Sequence, residues 1–246
     1  RLVRGVLPTY SEENAHYRDA ARRLSEVRDA QALAETFDDH VAPAAEERDA
    51  MDEDALADVR ETLTDRRESM VEEMDLDGRL RTVREELVEG VERVPDLPVA
   101  TEGFDAVAAG LRKSYKRGRN RMTEAYEDPD AERFHEWQKR VKYHRYHSRL
   151  LRSVWPGPMK ARWAELKELS DRIGDEHDLA VFLETMDEED LFAEATRETL
   201  DGVITARRSE LHRGGRPLGE RLFAKEPDRL VARIRAYWTA TREYEP

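Results

Sequence analysis

The chain has 246 residues, no cysteine and a formal net charge of −13, with 55 Asp and Glu against 42 Lys and Arg. That length requires one large core or two of ordinary size. Without cysteine there are no disulfides, thiolate zinc sites or cysteine nucleophiles, and no run of about 18 apolar residues is present to span a bilayer.

Alternating strand patterns are missing. Apolar residues recur instead at three and four, as in Leu24, Val27, Leu33 and Phe37, or Trp163, Leu166, Leu169 and Ile173, which predicts an all-α fold. Residues 1–7 read as the end of a helix. Helices are expected near 11–40 (N-cap Ser11), 45–73 and 78–94, and the acidic tract Glu46–Asp77 reads as a solvated face. The segment Arg93–Thr101, RVPDLPVAT, is the best internal boundary. Beyond it, helices are expected near 102–127 (N-cap Thr101), 129–154, 158–186, 188–213, 217–224 and 227–243. Pro129, Pro158 and Pro227 each suit a first helical position.

An internal repeat supports the same division. LVRGVLP (Leu2–Pro8) aligns with LLRSVWP (Leu150–Pro156), and RRLSEVRDAQALAETF (Arg22–Phe37) aligns with DRIGDEHDLAVFLETM (Asp171–Met186). Two matches in order at nearly one offset predict two related halves, 1–98 and 99–246, each an antiparallel four-helix bundle. The counterpart of Phe134–Arg149 then falls before residue 1, so the first half is expected to lack most of its opening helix.

The cations are unevenly distributed. Between Arg112 and Arg152 stand thirteen Lys or Arg and six Asp or Glu, a local +7 inside an acidic chain. On a helix, His135, Gln138, Lys139, Lys142, Tyr146 and Arg149 share one face about 100° wide, with Phe134, Trp137, Val141, His144 and Leu151 opposite. Glu136 is the only acid from Phe134 to Leu151, so these cations are expected to lack local partners. Gly110–Met122 repeats the theme with six cations and no acid. There Arg112, Lys116 and Arg119 cluster beside an apolar stripe. If the two helices adjoin, their cations converge, which favours a phosphate-rich ligand held by guanidinium forks and ammonium groups. The charge on His135 is expected to be disfavoured by Lys139 and Lys142 and favoured by bound phosphate.

HEWQKRVKYHRY (His135–Tyr146) resembles the signature of the CHAD family, the conserved histidine α-helical domain. IGDEHDLAVFLETM (Ile173–Met186) is similar to its post-helix segment, and LGERLFAKEP followed by RIRAYW resembles its C-terminal end. The resemblance implies two pseudo-symmetric four-helix bundles around a basic central cavity that binds inorganic polyphosphate. His135, Lys139, Lys142, Arg145 and Tyr146 take motif positions, and Arg112, Lys116 and Arg119 match the preceding basic helix. Arg28 and Asp29 match an Arg-Asp pair that His177 and Asp178 replace in the second half. Gln138 stands where the family prefers Arg, which implies weaker binding there. Arg149 extends the stripe, and Arg18, Arg22, Lys167 and Arg207 lie on helices expected to face the cavity.

Two Glu-x-x-His matches, Glu13–His16 and Glu132–His135, suggest a di-iron site in a bundle. Their positions near helix starts and the cations beside His135 argue against one, so no metal and no cofactor is expected. Neither a P-loop, a GxSxG elbow nor an HExxH motif is present, and a non-catalytic binder is expected. It would be targeted to polyphosphate granules, or serve as the regulatory or substrate-binding part of a polyphosphate- or triphosphate-processing enzyme. An RNA- or tRNA-binding module is the rival reading. The acidic balance and the inward-facing Phe134 and Trp137 weigh against it. No basic segment precedes an apolar one as in a signal peptide, so a cytoplasmic location is expected, although Arg1 in place of Met leaves room for a preceding segment. With 35 Arg, 7 Lys and many carboxylates, the surface suits a high-salt cytoplasm of a halophile; a GC-rich genome would explain the Arg equally.

Overall fold

The computed structural model describes residues 1–72 and 74–244, which contain helices, turns and no strand. The helices are α1 (Tyr10–Arg22), α2 (Ser25–Thr36), α3 (Ala42–Glu47), α4 (Glu53–Glu72), α5 (Leu76–Arg93), α6 (Asp105–Glu127), α7 (Ala131–Leu150), α8 (Pro156–Glu188), α9 (Glu194–Leu222) and α10 (Pro227–Tyr244).

Several boundaries differ from the sequence expectation. Residues 2–6 form turns rather than a helix end. The helix expected over 11–40 breaks after Arg22, resumes at Ser25 and ends in a π turn at Phe37–Val41. The helix expected from 45 starts at Glu53, where Asp52 Oδ1 accepts a bond from the Ala55 N–H at 2.9 Å, a capping interaction. The helices expected at 188–213 and 217–224 are one, α9, with Pro217 inside it; local proline rules miss this because packing can outweigh one lost backbone bond. Ser11 and Thr101 are not caps: α1 already includes Tyr10, and Phe104 precedes α6 without a side-chain cap. Besides Asp52, Asp75 caps by accepting from the Gly78 N–H at 3.0 Å and Asp130 by accepting from the Arg133 N–H at 2.7 Å.

The chain forms two compact units that interleave along the sequence, whereas the expected halves were continuous. The first unit comprises Arg1–Tyr10, Pro98–His177 and Leu211–Pro246, the second Ser11–Leu97 and Asp178–Glu210. The first unit closes over a core that includes Leu111, Tyr115, Phe134, Trp137, Val141, Leu166, Leu169 and Phe223. α6 packs on α7 and on α10. Gly118 permits the close approach of the Phe223 ring, which would lie 2.5 Å from a Cβ there.

In the second unit α2 packs on α4, and Leu33, Phe37, Val41, Leu56, Val59, Leu63, Phe182 and Leu200 are buried. α1 is fastened to α5 by a two-pronged Arg93–Glu13 pair at 3.1 and 3.2 Å and by His16 Nε2 against the Glu86 carbonyl at 2.7 Å. Both residues of the first Glu-x-x-His match thus hold two helices together.

Candidate anion-binding site

Asp130 fixes where α7 starts, and the 3.6-residue period does the rest. Phe134, Trp137, Val141 and His144 are all buried, which forces the cations toward the rim. His144 Nε2 lies 2.8 Å from the Arg162 guanidinium, which also donates to the Leu222 carbonyl at 3.0 Å. Guanidinium only donates, so Nε2 accepts and His144 is neutral. Burial, and then the Arg162 charge, hold its pKa well below the usual value. This part-buried cation has no ion pair among the described residues, and nothing in the sequence pattern pointed to it.

Along the outer stripe of α7, the half-buried His135 ring lies on His177 of α8, with centroids 3.9 Å apart. Burial first, then the neighbouring His177 and Lys139, push His135 down to a pKa of about 4. Its Nδ1 is buried without a hydrogen-bond partner. Lys139 pairs with Glu136, which also takes Arg140 at 2.9 Å. Arg145 lies 3.5 Å from Asp171 of α8, donates to Tyr146 Oη at 3.3 Å and covers the Tyr146 ring at 5.0 Å. Asp171 also takes Lys167 at 2.5 Å. Lys142 and Arg149 hold no ion pair among the described residues, and Tyr146 is 48% exposed. Gln138, in contrast, is buried, its amide 3.2 Å from where a Cβ on Gly174 of α8 would lie. It packs the α7–α8 seam rather than meeting solvent.

The expectation that the α7 cations lack partners is therefore corrected. The count of acids within α7 missed Asp171, which arrives from another helix, and Glu136 serves two cations at once. The expected convergence of the α6 and α7 stripes is corrected as well. Arg112 binds Asp228 at 2.5 and 2.9 Å, and Arg119 binds Glu226 at 2.8 Å. Lys116 lies near Asp228 without pairing to it. The α6 stripe thus faces the start of α10, while the α7 stripe faces α8.

Arg18, Arg22, Arg28 and Arg207 belong to the second unit. Arg18 and Arg22 both pair with Asp19, Arg28 with Asp29 at 3.7 Å, and Arg207 with Glu210 at 3.1 Å. Each is answered by a near neighbour in sequence.

A cationic cluster that the sequence reading did not single out lies between α6, α7 and the first residues of the chain. Arg1, Arg4, Lys113, Arg117, Arg140 and Tyr143 line a cavity of about 390 Å³. The signal available in the sequence was the small residues Gly5, Ala109, Gly110 and Ser114, which open the space.

Against known proteins, the family model described as the CHAD domain matches residues 1–187. The chain belongs to the CHAD family. No curated protein and no solved structure matches it. The CHAD match contains the whole of α7 and all but the last residue of α8, so the His135–Tyr146 face falls inside it. It ends before the resemblances at residues 218–227 and 233–238. CHAD domains are associated with polyphosphate- and triphosphate-related proteins.

Proposed function

We propose that this CHAD chain binds inorganic polyphosphate along the α7–α8 face and does not turn it over. The observation that carries this reading is the stripe itself. Lys142 and Arg149 hold no ion pair among the described residues, and they share α7 with His135, Lys139, Arg145 and Tyr146. A linear polyanion suits such a stripe, because successive phosphates can meet successive cations. Tyr146 Oη can donate to phosphate oxygen, as can a protonated His135. Glu136 and Asp171, two carboxylates on the face, are each engaged by two cations. They are therefore committed to neutralising the stripe rather than free to ligate Mg²⁺, which supports binding over phosphoryl transfer.

The test is calorimetry with long-chain polyphosphate and with orthophosphate, on the wild-type chain and on K142E/R149E. Affinity is expected to rise steeply with chain length, to fall with salt, and to drop at least tenfold in the double variant. Equal, millimolar binding of both ligands, or a double variant that binds long chains like wild type, refutes the proposal. RNA added as competitor is expected to leave bound polyphosphate in place; displacement at equal phosphate concentration would favour the nucleic-acid reading.

A further inference from the structure

We infer that the corner joining α7 to α8, residues 152–160, docks the protein on an anionic lipid bilayer, with Trp155 entering the interface. The docking is independent of polyphosphate binding: its partner is a membrane surface, and its anchor is an aromatic side chain outside the α7 stripe.

The sequence sets the corner up. Trp137–Ala164 contains eight Lys or Arg and no Asp or Glu, inside a chain of net charge −13. After α7, Leu151 and Val154 are buried and pin a 3-10 turn at Arg152–Val154. Trp155 follows in extended backbone, as the residue before a proline prefers, and Pro156 opens α8. One edge of the pair is fixed, because the indole meets the Tyr237 ring of α10 nearly at right angles, with centroids 4.7 Å apart. Trp155 is nonetheless 51% exposed, and Pro156, Gly157 and Pro158 after it are exposed as well.

Cations adjoin this apolar tip. Arg149, Arg152, Pro156, Lys160 and Trp163 line a cavity of about 370 Å³, with no carboxylate among them. Arg149, Arg152 and Lys160 hold no ion pair among the described residues, and the half-buried Trp163 supplies an apolar wall. Indole beside unpaired cations is the composition of a membrane-interface anchor. The ring settles at headgroup level, and each Lys or Arg near an anionic leaflet adds attraction. An anionic bilayer repels a chain as acidic as this one, so contact is confined to a segment free of carboxylates.

The prolines separate a lipid surface from an acidic protein partner. A helix start leaves four N–H groups unsatisfied, which is costly where water is scarce. Pro156 and Pro158 carry no N–H, so the first turn of α8 has two fewer such donors. A helix start stripped of donors is poorly made to grip the carboxylates of a peptide and well made to enter a water-poor interface.

The experiment is sedimentation of the full chain with vesicles of phosphatidylcholine alone or mixed with phosphatidylglycerol, for wild type, W155S, R152E/K160E and K142E/R149E. Brominated phosphatidylcholine in the mixed vesicles reads tryptophan insertion as fluorescence quenching. Trp155, Arg152 and Lys160 are exposed, so their replacement is expected to leave the melting temperature unchanged. Wild type is expected to bind the mixed vesicles with quenching and to ignore the neutral ones. One cation near an anionic surface corresponds to about fivefold in binding, so R152E/K160E should lose at least tenfold. W155S should bind more weakly and lose most of the quenching. Equal binding to neutral vesicles, wild-type binding by either of these variants, or sedimentation without quenching overturns the inference. So does vesicle binding that disappears in K142E/R149E and persists in R152E/K160E, which would assign the lipid headgroups to the α7 stripe. The α7–α8 reading fails separately, as long-chain polyphosphate binding that survives in K142E/R149E.

Discussion

Asp171 offers a sharp test, because replacing it should improve binding. It holds Arg145 at 3.5 Å and Lys167 at 2.5 Å, so a phosphate approaching either cation meets a carboxylate already there. Asp171→Asn removes that charge and keeps the side-chain shape. Two unit charges about 4 Å apart interact by about 1 kcal/mol in water and about 4 kcal/mol at an effective dielectric of 20. The Asp171 side chain is 45% exposed, which places it near the aqueous end. A gain of about 1 kcal/mol, or about fivefold in Kd for long-chain polyphosphate, is expected at low salt. The same change gives up two partly exposed ion pairs, so stability should fall by less than about 1 kcal/mol. Calorimetry gives the first quantity and urea unfolding the second. Unchanged or weaker binding in a folded Asp171→Asn protein would show that phosphate does not meet Arg145 and Lys167.

Acid should destabilise the first unit before most carboxylates titrate. His135 and His147 are held at about 4, both by burial first, and His144 lies well below its usual value of 6.5. These depressed pKa values mean the unfolded chain binds more protons, so stability is full above about 6.5 and is lost as pH falls toward 4. For buried His147 the gap from 6.5 to about 4 corresponds to a loss on the order of 3 kcal/mol. A urea midpoint that stays constant from pH 7.5 to 5 would contradict this. Polyphosphate binding has the opposite dependence: phosphate next to His135 favours its imidazolium, so affinity should rise as pH falls from 7 to 5, and His135→Gln should flatten that rise in calorimetry. Trp137→Ala empties a fully buried position and is expected to cost about 3–5 kcal/mol in chemical unfolding; a loss below 1 kcal/mol would remove Trp137 from the core. Gly110→Ala should displace residues 1–7 from α6, read as faster amide exchange at Val6 and Leu7.

Periodicity made α7 legible: Phe134, Trp137, Val141 and His144 went inward, and His135, Lys142 and Tyr146 outward. It misplaced Gln138, because helical angle alone cannot show that α8 covers that flank. The α6 stripe was recognised as a stripe, but its partner was not. Asp228 lies 116 residues from Arg112 in sequence, and no local pattern reports a contact that distant. The same blindness applies to Asp171 opposite Arg145, to the contact of part-buried Arg162 with His144, and to the meeting of Arg1 and Arg4 with Lys113 and Arg117. Proline punctuation worked at Pro227, which opens α10, and failed at Pro217, expected to open a new helix but lying inside α9.

Glu136 and Asp171 also bear on how the protein behaves without ligand. On the binding reading proposed above, each is a partial internal stand-in for the guest, answering some of the positive charge on the α7–α8 face and leaving Lys142 and Arg149 for the ligand. Loading at Lys139 and Arg145 would then be an exchange of one anion for another. Fewer small ions are then set free than the number of cations would suggest, and the grip on a phosphate chain should survive brine better than that of a bare basic groove.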